Sequence, residues 1–314
     1  MRAFSIISGS ALGITIFILG MRLMSAALQR GAGARLRPFL GRFVRGRLAG
    51  ALGGAAATAL VQSSSAVAAA VVSLVNSRAL SLEQGCAVIL GANVGTTVTA
   101  QLIAFDWGQL APLVMALGLG CAYVWRRRAV GEVMFGFGAL LFGLSLISAS
   151  LAPWLGSGPV MYALTELAAS PWKAVLVGFA VTAVVQSSSA VTSLTVGLAQ
   201  AGGITLKTAV GICLGSNIGT VLTTLIASAG TSRESRATAL ADLFFNVLGA
   251  LLALVFMDPF LALVVRTSSL LPRQVANAHT LFNLGTVLLA LPFLPYLTGF
   301  AWWWAGITCR RKKY

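Results

Sequence analysis

The chain of 314 residues is 58% hydrophobic and only 9% charged, against about 25% charged residues in a soluble domain, so it cannot cover a water-facing surface. Its net charge is +15, from 22 Lys and Arg against 7 Asp and Glu. So much apolar surface must be buried, which excludes disorder, and the length suits one bundle of roughly eight to ten membrane helices of about 20 residues each.

Phe4–Leu28 is apolar apart from Arg22. It is too long for a signal-peptide core and has no A-x-A cleavage site followed by a soluble domain, so it reads as the first membrane helix. Arg30, Arg35, Arg37, Arg42, Arg45 and Arg47 follow and read as a cytoplasmic loop by the positive-inside rule. Leu48–Val61 and Ala66–Asn76 are each too short to span and flank the polar string Gln62-Ser63-Ser64-Ser65. That pattern predicts a re-entrant helical hairpin, entering and leaving on one side. Leu80–Phe105 is long enough to cross but carries Gly91-Ala92-Asn93-Val94-Gly95-Thr96-Thr97 near its middle, which predicts a discontinuous, unwound transmembrane helix. Trp107–Trp125 is a further helix, Arg126–Arg128 a second cytoplasmic basic group, and Val130–Leu151 an outward crossing. Pro153–Pro171 holds one acid, Glu166, and no base, as an outside loop would.

The chain then repeats itself. VQSSSAV at Val61–Val67 recurs at Val185–Val191, and GANVGTT at Gly91–Thr97 recurs as GSNIGTV at Gly215–Val221. Both motifs recur 124 positions on, Gln62 to Gln186 and Asn93 to Asn217, which marks a duplication over about 48–105 and 172–229. The loop charges place the start of the first copy inside and the start of the second outside, with Arg233 and Arg236 at the inner end of the second. The expected fold is therefore all-α: a polytopic membrane protein with inverted-topology repeats, each a re-entrant hairpin plus a discontinuous helix. A weaker echo relates Ala239–Asn246 to Ala276–Asn283, with Asp242 opposite His279. Asp242 lies close to the cytoplasmic end, where a functional buried carboxylate and a solvated one are both open; Glu83 and Lys207 read as solvated helix-end charges. Pro292, Pro295 and Trp302–Trp304 suggest an interfacial piece over Pro292–Cys309 rather than a separate crossing.

Enzyme chemistry has no foothold. Cys86, Cys121, Cys213 and Cys309 are scattered without metal-site spacing, His279 is the one histidine, and no nucleophile-elbow, zincin or phosphate-loop motif occurs. No aromatic-interleaved basic surface suggests a nucleic-acid partner. Irregular backbone at membrane depth is tolerated only where it is buried in protein or lines a cavity, and paired breaks in two halves point to a transporter's central site. Gln62, Ser63, Ser64, Ser65 and Gln186, Ser187, Ser188, Ser189 offer hydroxyls, amides and the free N–H groups of a helix start, which favour an anion such as phosphate. Asn93, Thr96, Thr97, Asn217 and Thr220 offer oxygens suited to a hard cation such as sodium. Neither motif contains Lys or Arg, so an oxyanion there would need co-bound cations, which predicts ion-coupled symport. The competing readings are serines that only pack helices together, a carrier of another oxyanion or small dicarboxylate, proton coupling through Asp242 and His279, and a membrane scaffold or sensor.

The two QSSS-A segments, the two G-x-N-x-G-T segments and the A-x-x-H-x-x-F-N string of Ala276–Asn283 resemble the sodium-dependent phosphate cotransporter family, type II. The resemblance covers roughly Leu48 to Leu291. It implies a sodium-coupled symporter of inorganic phosphate in the cell (inner) membrane, with substrate residues Gln62–Ser65 and Gln186–Ser189 and sodium residues Asn93, Thr96, Thr97, Asn217 and Thr220. It departs at Val221, where the first copy has Thr97, and at Asp242, where the related string has a histidine. Many bacterial members carry a cytosolic helical domain after the membrane part, whereas this chain ends at Arg310-Arg311-Lys312-Lys313-Tyr314. The expectation is one transmembrane transport domain over 1–314 with no soluble domain and no cofactor beyond sodium as coupling ion. The expected partners are phosphate, sodium and the bilayer, with a homo-oligomer left open.

Overall fold

The computed structural model describes residues 2–105, 107–155, 166 and 170–310; most of the expected outside loop and the end of the basic tail lie outside these. Among the described residues every regular element is helical. In chain order they are α1 (Arg2–Phe43), α2 (Arg47–Val61), α3 (Ser64–Asn76), α4 (Leu82–Ile103), a 3₁₀ turn (Gly108–Leu110), α5 (Ala111–Tyr123) and α6 (Arg128–Leu155). There follow α7 (Pro171–Val185), α8 (Ser188–Gln200), α9 (Leu206–Ser228), α10 (Arg233–Val255), α11 (Met257–Val265) and α12 (Leu271–Arg310).

Six of these, α1, α4, α6, α9, α10 and α12, are long and apolar enough to cross a membrane. That is fewer than the eight to ten that length alone suggests, because the polar QSSS strings and two very long helices consume the chain. Helix α1 has 42 residues, about 63 Å at 1.5 Å per residue, twice the ~30 Å hydrocarbon core. It runs through Pro38 and most of the arginine cluster that reads as a loop in the sequence; arginine is a good helix former. Helix α12 likewise continues for 40 residues through Pro292 and Pro295, so Pro292–Cys309 is not a separate interfacial piece.

The duplication is structural as well as sequential. Helices α2 and α7, and α3 and α8, have identical lengths of 15 and 13 residues, and each begins 124 positions after its counterpart. The caps repeat too. Ser81 accepts from the N–H of Gln84 at the start of α4, and Thr205 accepts from the N–H of Thr208 at the start of α9, both at 3.2 Å. The copies interlock: α3 packs on α9 and α8 on α4. At one junction Asn76 Oδ1 accepts from the N–H of Ser232 at 2.8 Å, and at the other its counterpart Gln200 donates from Nε2 to the carbonyl of Ile103 at 3.2 Å.

The expected unwound helices are not unwound. Both α4 and α9 are continuous through their glycine motifs. Gly91 and Gly215 instead allow backbone contact: a Cβ on Gly91 would lie 1.8 Å from the carbonyl oxygen of Ala51 on α2, and one on Gly215 1.9 Å from that of Val175 on α7. Gly95 repeats this against the carbonyl oxygen of Ala55 at 2.4 Å, and Gly219 against that of Phe179 at 2.9 Å. With no hydrophobic drive between helices in lipid, small residues that let backbones approach hold such pairs together. The first long helices pack the same way, Gly20 of α1 meeting Gly136 of α6 and Gly13 meeting Gly143.

Candidate anion cavity and flanking polar clusters

Each QSSS string is the joint between two short helices. Gln62 and Gln186 cap α2 and α7 in the left-handed region, at φ 54° and 57°, an uncommon conformation for a residue with a side chain. It reverses the chain within two residues, and Ser63 and Ser187 then start α3 and α8. Each of these two serines accepts from a backbone N–H three residues on, that of Ala66 or Ala190, at 3.2 Å, as good N-caps do. The Gln62 amide is held from two sides: it donates to the Ala59 carbonyl at 2.6 Å and accepts from the Thr99 hydroxyl of α4.

The two joints, 124 residues apart in sequence, line one cavity of about 390 Å³. Gln62–Ser65 and Gln186–Ser189 all contribute, so the structure brings together all eight residues read as an anion site. At ~30 Å³ per water the cavity has room for roughly a dozen waters. The positive ends of α3 and α8 face it, which favours an anion. The hydroxyls are unequally committed. Ser63 and Ser187 serve as caps, and Ser65 accepts from Thr223 of α9 at 3.2 Å. Among the described residues the hydroxyls of Ser64 and Ser188 have no such partner, although these two are the more buried, 9% and 4% exposed.

A third wall comes from α1. Ile18, Met21, Arg22 and Ser25 line the same cavity, and the Ser25 hydroxyl reaches the Gln62 carbonyl at 3.4 Å. Sequence reasoning missed this wall because α1 lies outside the duplication. The signal was present: Arg22 is the one charge within Phe4–Leu28, and positions 18, 21, 22 and 25 share a helix face.

The residues read as cation ligands do not enter this cavity. The Thr96, Thr97 and Thr220 hydroxyls donate to carbonyls of their own helices at 2.8–3.1 Å. The continuous helices keep their backbone carbonyls engaged, so the carbonyl oxygens expected from unwinding are not on offer. Asn217 is buried in a chain of polar groups: its Nδ2 donates to Asn283 Oδ1 at 2.9 Å, and its Oδ1 lies 3.1 Å from His279 Nε2. Asn93, its counterpart, lies against the Asp242 carboxyl. Asp242 also accepts from Thr224 and Asn246, both at 2.9 Å. The weak echo between 239–246 and 276–283 is thus the partner set of the two asparagines, and Asp242, 4% exposed, is not a solvated helix-end charge. Glu83 is one, paired with Arg47 at 3.1 Å with both side chains half-exposed.

The sequence profile described as Na+/Pi-cotransporter matches residues 16–149 and 155–295, nearly the whole chain. The chain belongs to the Na+/Pi-cotransporter family. This is a family of phosphate transporters, not of enzymes, and with six apolar helices of spanning length the chain is a multi-pass membrane protein. Over 291 residues it is 29% identical to the Salmonella typhimurium protein named "Putative inorganic phosphate export protein YjbB", covering 91% of this chain and 53% of that one. The chain thus spans about half the length of that relative. Over 292 residues it is 31% identical to the "Uncharacterized protein YqeW" of Bacillus subtilis, covering 91% and 94%. Rabbit (Oryctolagus cuniculus) "Sodium-dependent phosphate transport protein 2A" matches at 35% identity over 140 residues, 43% of this chain and 22% of that one. No solved structure matches.

Proposed function

We propose that the chain is a sodium-coupled carrier of inorganic phosphate in the cell (inner) membrane, working as one transport domain. The observation that carries this reading is the convergence of both QSSS joints, with two helix N-termini, on one cavity. Phosphate sits between the joints, held by serine hydroxyls and backbone N–H groups and in part through water. Sodium binds at the asparagine clusters behind it, around Asn93 with Thr96 and Thr97 and around Asn217 with Thr220. The test is radiolabelled phosphate flux in proteoliposomes with and without a sodium gradient, in both directions, since one relative is named for export. Gradient-dependent flux in either direction supports the reading. Flux driven by a pH gradient alone would favour protons, with Asp242 and His279 as their carriers. No phosphate flux, with another oxyanion or a dicarboxylate carried instead, would replace the substrate.

The two joints are the tips of re-entrant hairpins that enter from opposite faces, and the duplication is inverted. The paired junctions at Asn76 and Gln200 support this, since one hairpin ends against Ser232, just past the far copy, and the other against Ile103 within it. Ser77→Cys and Ala201→Cys occupy equivalent positions and should label with an impermeant thiol reagent from opposite sides. Labelling from one side would sink the inversion.

For the cation, Asn93→Ala and Asn217→Ala are expected to raise the sodium concentration for half-maximal transport at least several-fold. Unchanged sodium activation in both variants would make the asparagine clusters structural.

A further inference from the structure

Resting on that reading of the cavity, we propose that Arg22 is the fixed positive charge of the anion site, pairing directly with a tetrahedral oxyanion held between the two QSSS joints. The serine strings alone give a site made only of dipoles. The structure adds a guanidinium from a separate helix, on the cavity wall with Met21 and Ser25.

Three observations carry this. Arg22 lies inside an otherwise apolar run of α1, where an arginine is costly and rarely kept without a partner or a polar cavity. It makes no ion pair or hydrogen bond among the described residues. The acids that pair with bases are committed elsewhere, Glu132 to Arg30 and Arg128, Glu83 to Arg47, and Glu166 to Lys173. Finally, among the described residues no Asp or Glu lines the cavity, so the guanidinium and the two helix N-termini act there with one sign and without a counter-ion from those residues. A planar fork of N–H donors suits a tetrahedral oxyanion in bidentate fashion, which a lysine ammonium does not reproduce. The electrical consequence is direct. With Arg22 present, a doubly charged anion enters with one uncompensated charge, so fewer co-bound cations neutralise the loaded cavity than a serine-only site would require.

The test uses Arg22→Gln, Arg22→Leu and Arg22→Lys in the full chain, with inorganic phosphate as ligand and calorimetry in saturating sodium. Arg22→Gln should weaken phosphate binding about ten- to hundredfold, the range for a hydrogen bond to a charged group. Arg22→Lys should recover part of that loss but not all. Arg22→Leu should lose the phosphate-induced rise in melting temperature. If Arg22→Gln and Arg22→Leu bind phosphate like wild type while Ser64→Ala and Ser188→Ala do not, Arg22 is outside the site and the serine cavity stands. If wild type itself binds no phosphate, the reading beneath the proposal fails, and the proposal fails with it.

Discussion

Alanine at Ser64 or at Ser188 is expected to weaken phosphate binding by about ten- to hundredfold and leave the fold intact. These two are the informative serines because they line the cavity, are deeply buried, and among the described residues their hydroxyls serve neither as caps nor as cross-helix partners. A hydrogen bond to a charged oxygen is worth roughly 1.5–3 kcal/mol, and about 1.4 kcal/mol is a factor of ten in affinity. Ser63 and Ser187 are poorer probes. Their hydroxyls cap α3 and α8, so alanine there also costs about 1 kcal/mol of helix stability, and a loss of binding would have two causes. Calorimetric titration with phosphate in saturating sodium is the measurement, and an unchanged melting temperature is the control. Wild-type affinity in both alanine variants would take the strings out of the site and return them to helix packing. Because the two copies line one cavity, the losses in the double variant should not simply add.

The joints were legible in the sequence because a four-residue polar string inside an apolar run has few structural meanings, and finding it twice at one spacing removes chance. The helix lengths followed from the same strings. The glycine motifs were misread for a physical reason. A glycine in a membrane helix serves either backbone freedom or close approach, and the local sequence is the same for both. Only the position of Ala51 and Val175 across from Gly91 and Gly215 decides for close approach. Asp242 was placed near a helix end by its distance from Arg236, yet Ser232 caps α10 ten residues earlier and accepts from the Ser235 N–H, which puts Asp242 almost three turns in. Arg22 was visible as a lone charge but could not be assigned to the cavity, since no repeat or spacing ties α1 to residues 40 and more than 160 positions away. The long helices were missed because the arginines from Arg30 to Arg47 read as a loop by charge and Pro292 and Pro295 signal a break in isolation, whereas here the helices run on through both.

Valine in place of Gly91 or Gly215 is expected to abolish the folded protein, a larger effect than any change in the cavity. A side chain at Gly91 meets the Ala51 carbonyl at 1.8 Å and the Ala51 carbonyl carbon at 2.5 Å. These are backbone atoms of α2, one turn in from its start, so no side-chain rotation relieves the clash, and α2 and α4 must separate. Overpacking a well-packed core that can still shift costs about 1–3 kcal/mol; displacing a whole helix from its partner costs more and also removes the Thr99–Gln62 contact that steadies the first joint. Gly215 repeats the argument between α7 and α9, where Thr182 donates to Ser216 at 2.9 Å and Ser216 in turn reaches the Ser188 carbonyl at 3.4 Å. The contrast is Gly285→Ala. That glycine lies in the interior of α12 with open space where a Cβ would stand, so alanine there should be neutral or stabilise by up to about 1 kcal/mol through helix propensity. Detergent-solubilised protein on a sizing column reads all three: a monodisperse peak for Gly285→Ala and aggregate or no protein for the two valines. A monodisperse, phosphate-binding Gly91→Val would mean that α4 can move away from α2 without loss, and the unwound-helix reading of the motif would then regain its ground.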